Sequence, residues 1–189
     1  GGLSYGFARN DHFRIVFANE YDKDIATAYT LNHPGVNMIN EDIRSLSEQT
    51  ILKATSGQPI DVLVGGPPCQ SYSTLGKRQM DDRARLFEEY CRVLSVVKPK
   101  IFLFENVSGL MSMQGGTLIE LIKKRFHELG YEVKCQLLDA ADYGVPQHRE
   151  RVILVGMRGK NCFQYPSPTH GEGLLPYVTL KDALSDLPS

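Results

Sequence analysis

Asp61-Val62-Leu63-Val64-Gly65-Gly66-Pro67-Pro68-Cys69-Gln70-Ser71-Tyr72-Ser73 opens as a short apolar run and breaks at two glycines and two prolines. Val62-Leu63-Val64 has the make-up of a fully buried strand in a parallel sheet, where both faces are covered and polar alternation disappears. Gly65 and Gly66 admit backbone approaches that a Cβ would block, and Pro67-Pro68 stiffen the exit. The stretch therefore predicts a strand that ends in a rigid turn. Cys69 falls just past its carboxyl end, where open α/β sheets gather their chemistry. The plainer alternative is an inert buried thiol, a common fate for cysteine. This segment alone leaves both open.

Working outward, a second continuous apolar run, Ile101-Phe102-Leu103-Phe104, predicts another buried strand, delivering Glu105-Asn106-Val107 to the same sheet edge as Cys69. Between the two, Tyr72 to Arg85 is polar and reads as a loop of the lid type. Leu86, Tyr90, Val93, Leu94 and Val97 then recur at helical spacing until Pro99, which places Cys91 in a packing helix. On the amino-terminal side, Gly1-Gly2-Leu3-Ser4 has the look of a strand-to-helix turn. Arg14 to Ala18 predicts a strand, Asp22 a helix cap with Ile25, Ala28 and Tyr29 on one face, and Val36 to Ile39 a third strand. On the carboxyl side, Thr117 and Glu120 have capping-box spacing ahead of a helix with Leu118, Leu121, Ile122, Phe126 and Leu129 facing a core. Two further strands, Glu132 to Leu138 and Val152 to Val155, are close enough in sequence to pair antiparallel. A loop-like tail and a short helix from Thr179 to Leu187 follow. Strands alternating with helices predict a doubly wound α/β fold with a mostly parallel sheet and an antiparallel strand near its carboxyl-terminal end.

Acids at strand tips have a specific use in such folds. A carboxylate beyond the second strand of a βαβ unit can accept from both ribose hydroxyls of a nucleoside cofactor. Glu20 occupies that place, with Tyr21 beside it able to stack on a base, and Asp42 stands beyond the next strand. An exposed helix-start acid is the alternative for Glu20, and a half-buried ring for Tyr21.

Composition narrows the classes. The chain has 189 residues, 42% hydrophobic and 23% charged, which suits one globular domain rather than a disordered segment. No apolar run approaches the roughly 20 residues of a bilayer span. The four cysteines, Cys69, Cys91, Cys135 and Cys162, form no C-x-x-C pair and no zinc spacing, so neither a disulfide framework nor a metal is expected. A reducing, cytoplasmic setting is the default. A net charge of −1 gives no sign of a nucleic-acid partner by itself, although Lys77, Arg78, Arg83 and Arg85, and later Arg149 and Arg151, cluster locally.

Taken together, Gly-Gly-Pro-Pro-Cys-Gln at 65–70, Glu-Asn-Val at 105–107 and Gln-x-Arg-x-Arg at 147–151 resemble the cytosine-5 methyltransferases, especially the bacterial DNA-modifying enzymes. The likeness runs in order across nearly the whole chain. Val178 to Pro188 is similar to the segment that precedes the family's target-recognition domain. Against the family pattern, residues 1–189 read as an incomplete catalytic domain, without the first cofactor strand, the recognition domain and the closing helix.

The resemblance implies a Rossmann-like fold, S-adenosylmethionine as cofactor with S-adenosylhomocysteine as product, no metal, and double-stranded DNA as substrate. It implies Cys69 as nucleophile toward C6 of cytosine, Glu105 as the acid at N3, and Arg151 holding that acid and the cytosine O2, with Arg149 nearby. A surface pair flanking a strand is the alternative for the two arginines. Full ionisation of a free thiol at neutral pH lowers a barrier by only about 2 kcal/mol, so activating the ring must supply more. The resemblance further implies Gly2, Leu3, Glu20, Tyr21, Asp42, Ile43, Pro67 and Leu86 around the cofactor. It puts Gln70, Ser73, Lys77, Arg78 and Arg83, with Gln147, around a base flipped out of the duplex and its phosphates. A monomer, with a cognate restriction endonuclease that makes no direct contact, completes the expectation. Three rivals stand beside it. One is a transfer-RNA cytosine-5 methyltransferase of the same family, and one a non-catalytic fragment that retains cofactor binding. The third, an oxidoreductase using Glu20 on NAD ribose, leaves Cys69, Glu105 and Arg151 without a joint explanation.

Overall fold

The computed structural model describes residues 1–68 and 82–187, leaving aside the side chains of residues 82–85. The chain forms two compact units, Gly1–Leu103 and Phe104–Ser189.

In the first unit, helix α1 (Gly2–Ala8) follows Gly1 as its cap position, as the turn-like glycines predict. Strand β1 (Phe17–Asn19), helix α2 (Lys23–Asn32) and strand β2 (Asn37–Ile39) form a βαβ unit whose strands pair in parallel, Phe17 opposite Asn37 and Asn19 opposite Ile39. Asp22 caps α2 by accepting from the amides of Asp24 and Ile25 at 2.9 and 3.0 Å. The expected apolar face of α2 is displaced. Ile25 is 52% exposed, and Ala26 and His33 are buried instead. The His33 ring lies 4.4 Å from that of Tyr29, so the inward stripe follows 26, 29 and 33 at helical spacing.

Helix α3 (Glu48–Ala54), capped by Ser47, leads to strand β3 (Val62–Gly65). All four β3 residues are half-buried, not fully buried as the unbroken apolar run predicts. Leu63 packs on a core of Leu46, Ile51 and Val93, joined by Phe17, Ile39 and Ile43. Helix α4 (Asp82–Val97) buries Phe87, Tyr90, Cys91, Val93 and Leu94, so Cys91 is the packing thiol its spacing predicts. Because α4 starts at Asp82, Arg83 lies in its first turn and not in the loop assigned to it from sequence. Strand β4 (Ile101–Val107) neighbours β3, and the Ile101 amide donates to Asp61 O at 2.9 Å. The strand continues through Glu105-Asn106-Val107, three residues beyond its apolar run.

In the second unit the strand order is β4, then β6 (Glu150–Arg158), then β5 (Tyr131–Asp139). β5 and β6 pair antiparallel from Tyr131 opposite Arg158 to Asp139 opposite Glu150. Helix α5 (Thr117–Glu128) buries Leu118, Ile119, Ile122 and Phe126, whereas Leu121 is 42% exposed. Phe126 meets Phe104 edge-on at 5.5 Å between ring centres. The predicted Thr117–Glu120 capping box does not form. Left-handed Gly116 holds the cap position, Thr117 Oγ1 donates to Gln114 O, and Glu120 pairs with Lys123. A lost cap costs about 1 kcal/mol. Burying three side chains such as Leu118, Ile122 and Phe126 contributes about 5–9 kcal/mol, so the apolar face settles where the helix lies.

The tail crosses β5. Tyr165 Oη lies 3.0 Å from Lys134 O and 2.7 Å from Ile153 O, with one hydroxyl proton to share between the two carbonyls. The short helix α6 (Leu180–Leu184) carries a capping box between Thr179 and Asp182. Among the described residues β1–β2 and β3–β4–β6–β5 are separate ladders, and the fold is of the α/β class with its antiparallel pair near the carboxyl-terminal end.

Candidate functional site

The tips of β1 and β2 bring the loop of Glu20 and Tyr21 beside that of Asp42 and Ile43. The Glu20 amide extends the β1–β2 pairing by donating to Ile39 O at 3.1 Å, and Glu20 Oε1 accepts from the Asp22 amide at 3.0 Å. Two asparagines lock these tips reciprocally. Asn19 Nδ2 donates to Ile39 O and Glu41 O at 2.9 and 2.8 Å, and Asn40 Nδ2 donates to Glu20 O and Tyr21 O at 2.9 and 3.0 Å. Four side-chain bonds to backbone thus hold the loop of Glu20 and Tyr21 against that of Asp42 and Ile43. From α4, Arg92 donates to Ile43 O at 2.7 Å and to Glu89 at 2.6 Å, a second anchor for that loop.

Sequence reasoning passed over Asn19, Asn40, Arg44 and Arg92. The dipeptide Asn-Glu at the end of both strands, 19–20 and 40–41, was a legible signal for the first two. Arg44 and Arg92 carry no such mark.

A nucleoside cofactor fits most of this surface. Glu20 offers an acceptor, the Tyr21 ring is 74% exposed, and no heavy atom lies within 4 Å of where a Cβ on Gly2 would sit. An acid for a vicinal diol, an open aromatic face for a purine and a bare glycine for close approach suit S-adenosylmethionine. Leu3, Ile43, Pro67 and Leu86 are half-buried in the same unit. Asp42 is held by its near neighbour Arg44. Its Oδ1 accepts from the Arg44 amide and Nε at 2.9 and 3.0 Å, and its Oδ2 from Arg44 Nε and Nη2 at 3.0 and 2.5 Å. The guanidinium, then the backbone amide of Arg44, hold the Asp42 carboxyl below its ordinary value. Both oxygens of the Asp42 carboxylate, which the resemblance places around the cofactor, are therefore engaged by Arg44.

In the second unit, Glu105 from β4 and Arg151 from β6 meet, with Arg151 Nε donating to Glu105 Oε1 at 2.8 Å. Arg151 Nη1 also donates to Glu150 O at 2.7 Å, which fixes the direction of the guanidinium. Arg151 is thus ion-paired to the acid of β4, with both side chains about a quarter exposed. Arg149 is exposed, and its guanidinium makes no ion pair or hydrogen bond among the described residues. Its backbone is tied, with the amide on Asp139 Oδ1 at 2.7 Å and the carbonyl accepting from Ala140 at 3.1 Å. Gln147 is exposed on the turn that leads into β6. Cys69, Gln70, Ser73, Lys77 and Arg78 lie outside the described residues. A cleft of about 720 Å³ lined by His127, Lys134 and Lys160 sits at the opposite end of the β5–β6 ladder from Arg151 and shares none of these residues.

Known proteins match the chain along its length. The profile of the C-5 cytosine-specific DNA methylases matches residues 1–188. The chain is 41% identical to the Type II methyltransferase M.AquIA of Picosynechococcus, over all of this chain and 85% of that protein. It is 43% identical to M.FnuDI of Fusobacterium nucleatum over 99% of this chain and 53% of the relative. M.AquIA apart, the chain spans about half the length of the curated relatives named first among its matches. A DNA modification methyltransferase encoded within an E. coli prophage superposes with a TM-score of 0.81 at 29% identity, over 100% of this chain and 52% of that one. The S. pombe Dnmt2 methyltransferase, at 24% identity and a TM-score of 0.70 over 87% of this chain and 50% of its own, shares the fold.

Proposed function

The chain belongs to the C-5 cytosine-specific DNA methylases, and from that membership we propose that its protein transfers a methyl group from S-adenosylmethionine to C5 of cytosine in double-stranded DNA, at a defined sequence. The observation that carries the reading is the Glu105–Arg151 pair at 2.8 Å, an acid oriented by a guanidinium at the motif positions where the family's chemistry needs one.

C5 of cytosine is a poor nucleophile until C6 is saturated. In the proposed reaction Cys69 Sγ adds to C6 as the thiolate while Glu105, steadied by Arg151, donates to N3. C5, now part of an enamine, accepts the methyl group. S-adenosylmethionine, bound by Glu20 and Tyr21, would supply an electrophilic sulfonium methyl, with the thioether S-adenosylhomocysteine as product. C5 then gives up its proton to water, the C6–S bond breaks to return the thiolate to Cys69, and N3 returns its proton to Glu105. Glu20 and Tyr21 hold the ribose and adenine. Asp42 serves the adenine amino group if Arg44 releases one of its oxygens. Gln70, Ser73, Lys77, Arg78 and Arg83, with Arg149 and Gln147, meet the flipped base and the backbone phosphates, which suits the local basic clusters. A monomeric enzyme and a restriction endonuclease that shares its target without touching it complete the proposal.

The test is incubation of the full-length protein with S-adenosylmethionine and a duplex containing 5-fluorocytosine, in which C5 has no proton to lose. A denaturation-resistant adduct mapping to the peptide with Cys69 is expected, absent in Cys69→Ala, which still binds the cofactor. Normal turnover by Cys69→Ala overturns the assignment.

A further inference from the structure

The Arg151–Glu105 pair is held at its β6 end by a group outside the motif residues. Asp139, the last residue of β5, faces Glu150 in the ladder, one pair beyond Leu138 and Arg151. Its Oδ1 reaches past the end of the strand to accept from the amides of Arg149 at 2.7 Å and Ala141 at 3.1 Å, and its Oδ2 lies 2.8 Å from His148 Nδ1. The carboxylate therefore adds to the backbone bond from the Ala140 amide to Arg149 O, which continues the pairing by one residue, and clips the turn that carries Gln147, His148 and Arg149 to the strand start. Without it the Arg149 amide loses its acceptor and Arg149 is left on the single backbone bond from the Ala140 amide at 3.1 Å, two residues from Arg151.

We infer that Asp139, braced by His148, is a positioning residue that fixes the start of β6 so that Arg151 stays on Glu105; the inference rests on the functional reading above. The groups facing His148 are Asp139 from β5, Asp142 from the turn after it, and Tyr177 from the tail. The Tyr177 ring is 5.7 Å from the imidazole, and its Oη donates to Asp142 Oδ1 at 3.1 Å. Both carboxylates favour the imidazolium, Asp139 by hydrogen bond and charge and Asp142 by charge, so the brace is strongest with His148 protonated.

The experiment uses Asp139→Ala, Asp139→Asn and His148→Gln in the full-length protein. It compares kcat and KM for duplex methylation, S-adenosylmethionine affinity, and the hydrogen-exchange protection of Arg151 Nε–H by NMR. Asp139→Ala is expected to lower kcat about 10- to 100-fold, the scale of a small misplacement of a catalytic group, with cofactor affinity unchanged. Asp139→Asn keeps a carbonyl acceptor for the two amides and restores most of kcat. The ratio of wild-type kcat to that of His148→Gln exceeds one at low pH and falls to one as the imidazolium is lost. An unchanged kcat in Asp139→Ala, or equal losses of kcat and cofactor affinity, overturns the inference. If the wild type methylates no cytosine, the functional reading fails and the Arg151 signal decides alone. Lost protection in Asp139→Ala upholds the positioning role, and unchanged protection refutes it.

Discussion

Arg151 Nε stands 2.8 Å from Glu105 Oε1, with the two side chains 24% and 27% exposed. At that depth the pair is neither a free surface contact nor a sealed ion pair, so its worth lies between the two limits. Arg151→Ala is expected to destabilise the fold by about 1–2 kcal/mol, read from urea denaturation. Its effect on methyl transfer should be larger, about 10²- to 10⁴-fold, because the acid it orients acts in the transition state. Equal effects on stability and turnover would make Arg151 a structural residue only.

The asparagine lock predicts a defect confined to cofactor binding. Asn40→Ala removes two hydrogen bonds to the carbonyls of Glu20 and Tyr21 without touching either side chain. At about 1 kcal/mol for the pair or somewhat more, S-adenosylmethionine affinity should fall about tenfold. Isothermal titration measures it, and Asn40→Asp, which keeps the shape but supplies no donor, should do no better than Ala. Wild-type affinity in Asn40→Ala would mean that the tip loops hold their place without the lock.

Gly65 closes β3 against a ring. A Cβ there would stand 2.8 Å from Tyr90 Cε2 and 3.1 Å from Cδ2. Tyr90 is 5% exposed, sits edge-on to Phe102 at 6.2 Å, and its hydroxyl donates to Leu103 O at 3.1 Å, so the ring has little room to swing aside. Gly65→Ala should cost about 1–3 kcal/mol by overpacking, visible as a lower denaturation midpoint at unchanged slope. Adding Tyr90→Leu should recover part of that loss. Additive costs in the double variant would show that the clash is not what Gly65 avoids.

The contrast between these sites explains what was readable in the sequence. Strand runs such as Ile101–Phe104, the cap at Asp22 and the helical stripe around Leu94 follow from period and composition, which act locally. Glu105 and Arg151 were legible because three spaced motifs coincided, not because either residue differs from a surface charge. The failures share a cause. Ile25 and Leu121 have the hydrophobicity of core residues, and which helical face turns inward is decided by partners distant in sequence. Thr117 and Glu120 have capping-box spacing, yet the helix start is set by its buried face. Arg92 acts through the Ile43 carbonyl, 49 residues from its donor, and no local pattern announces it.

The His148–Asp139 pair makes a prediction about stability against pH that is independent of catalysis. His148 is raised above 6.5, chiefly by its hydrogen bond to Asp139, and Asp139 is lowered below 3.8, chiefly by the same bond and then by the amides of Arg149 and Ala141. A raised histidine contributes stability fully below its unfolded value and loses it as pH rises through the folded one. A lowered carboxyl contributes fully above its unfolded value and loses it as pH falls through the folded one. The two conditions overlap between 3.8 and 6.5, so the pair stabilises most inside that window. The melting temperature of the wild type should exceed that of His148→Gln by the largest margin there, and the margin should close as the imidazolium titrates above 6.5. Because the His148 side chain is 76% exposed, the margin should also shrink with added salt, with a screening length of about 8 Å at physiological ionic strength. A margin that grows with pH, or ignores salt, would mean that His148 supports the turn by packing on Tyr177 and not through its charge.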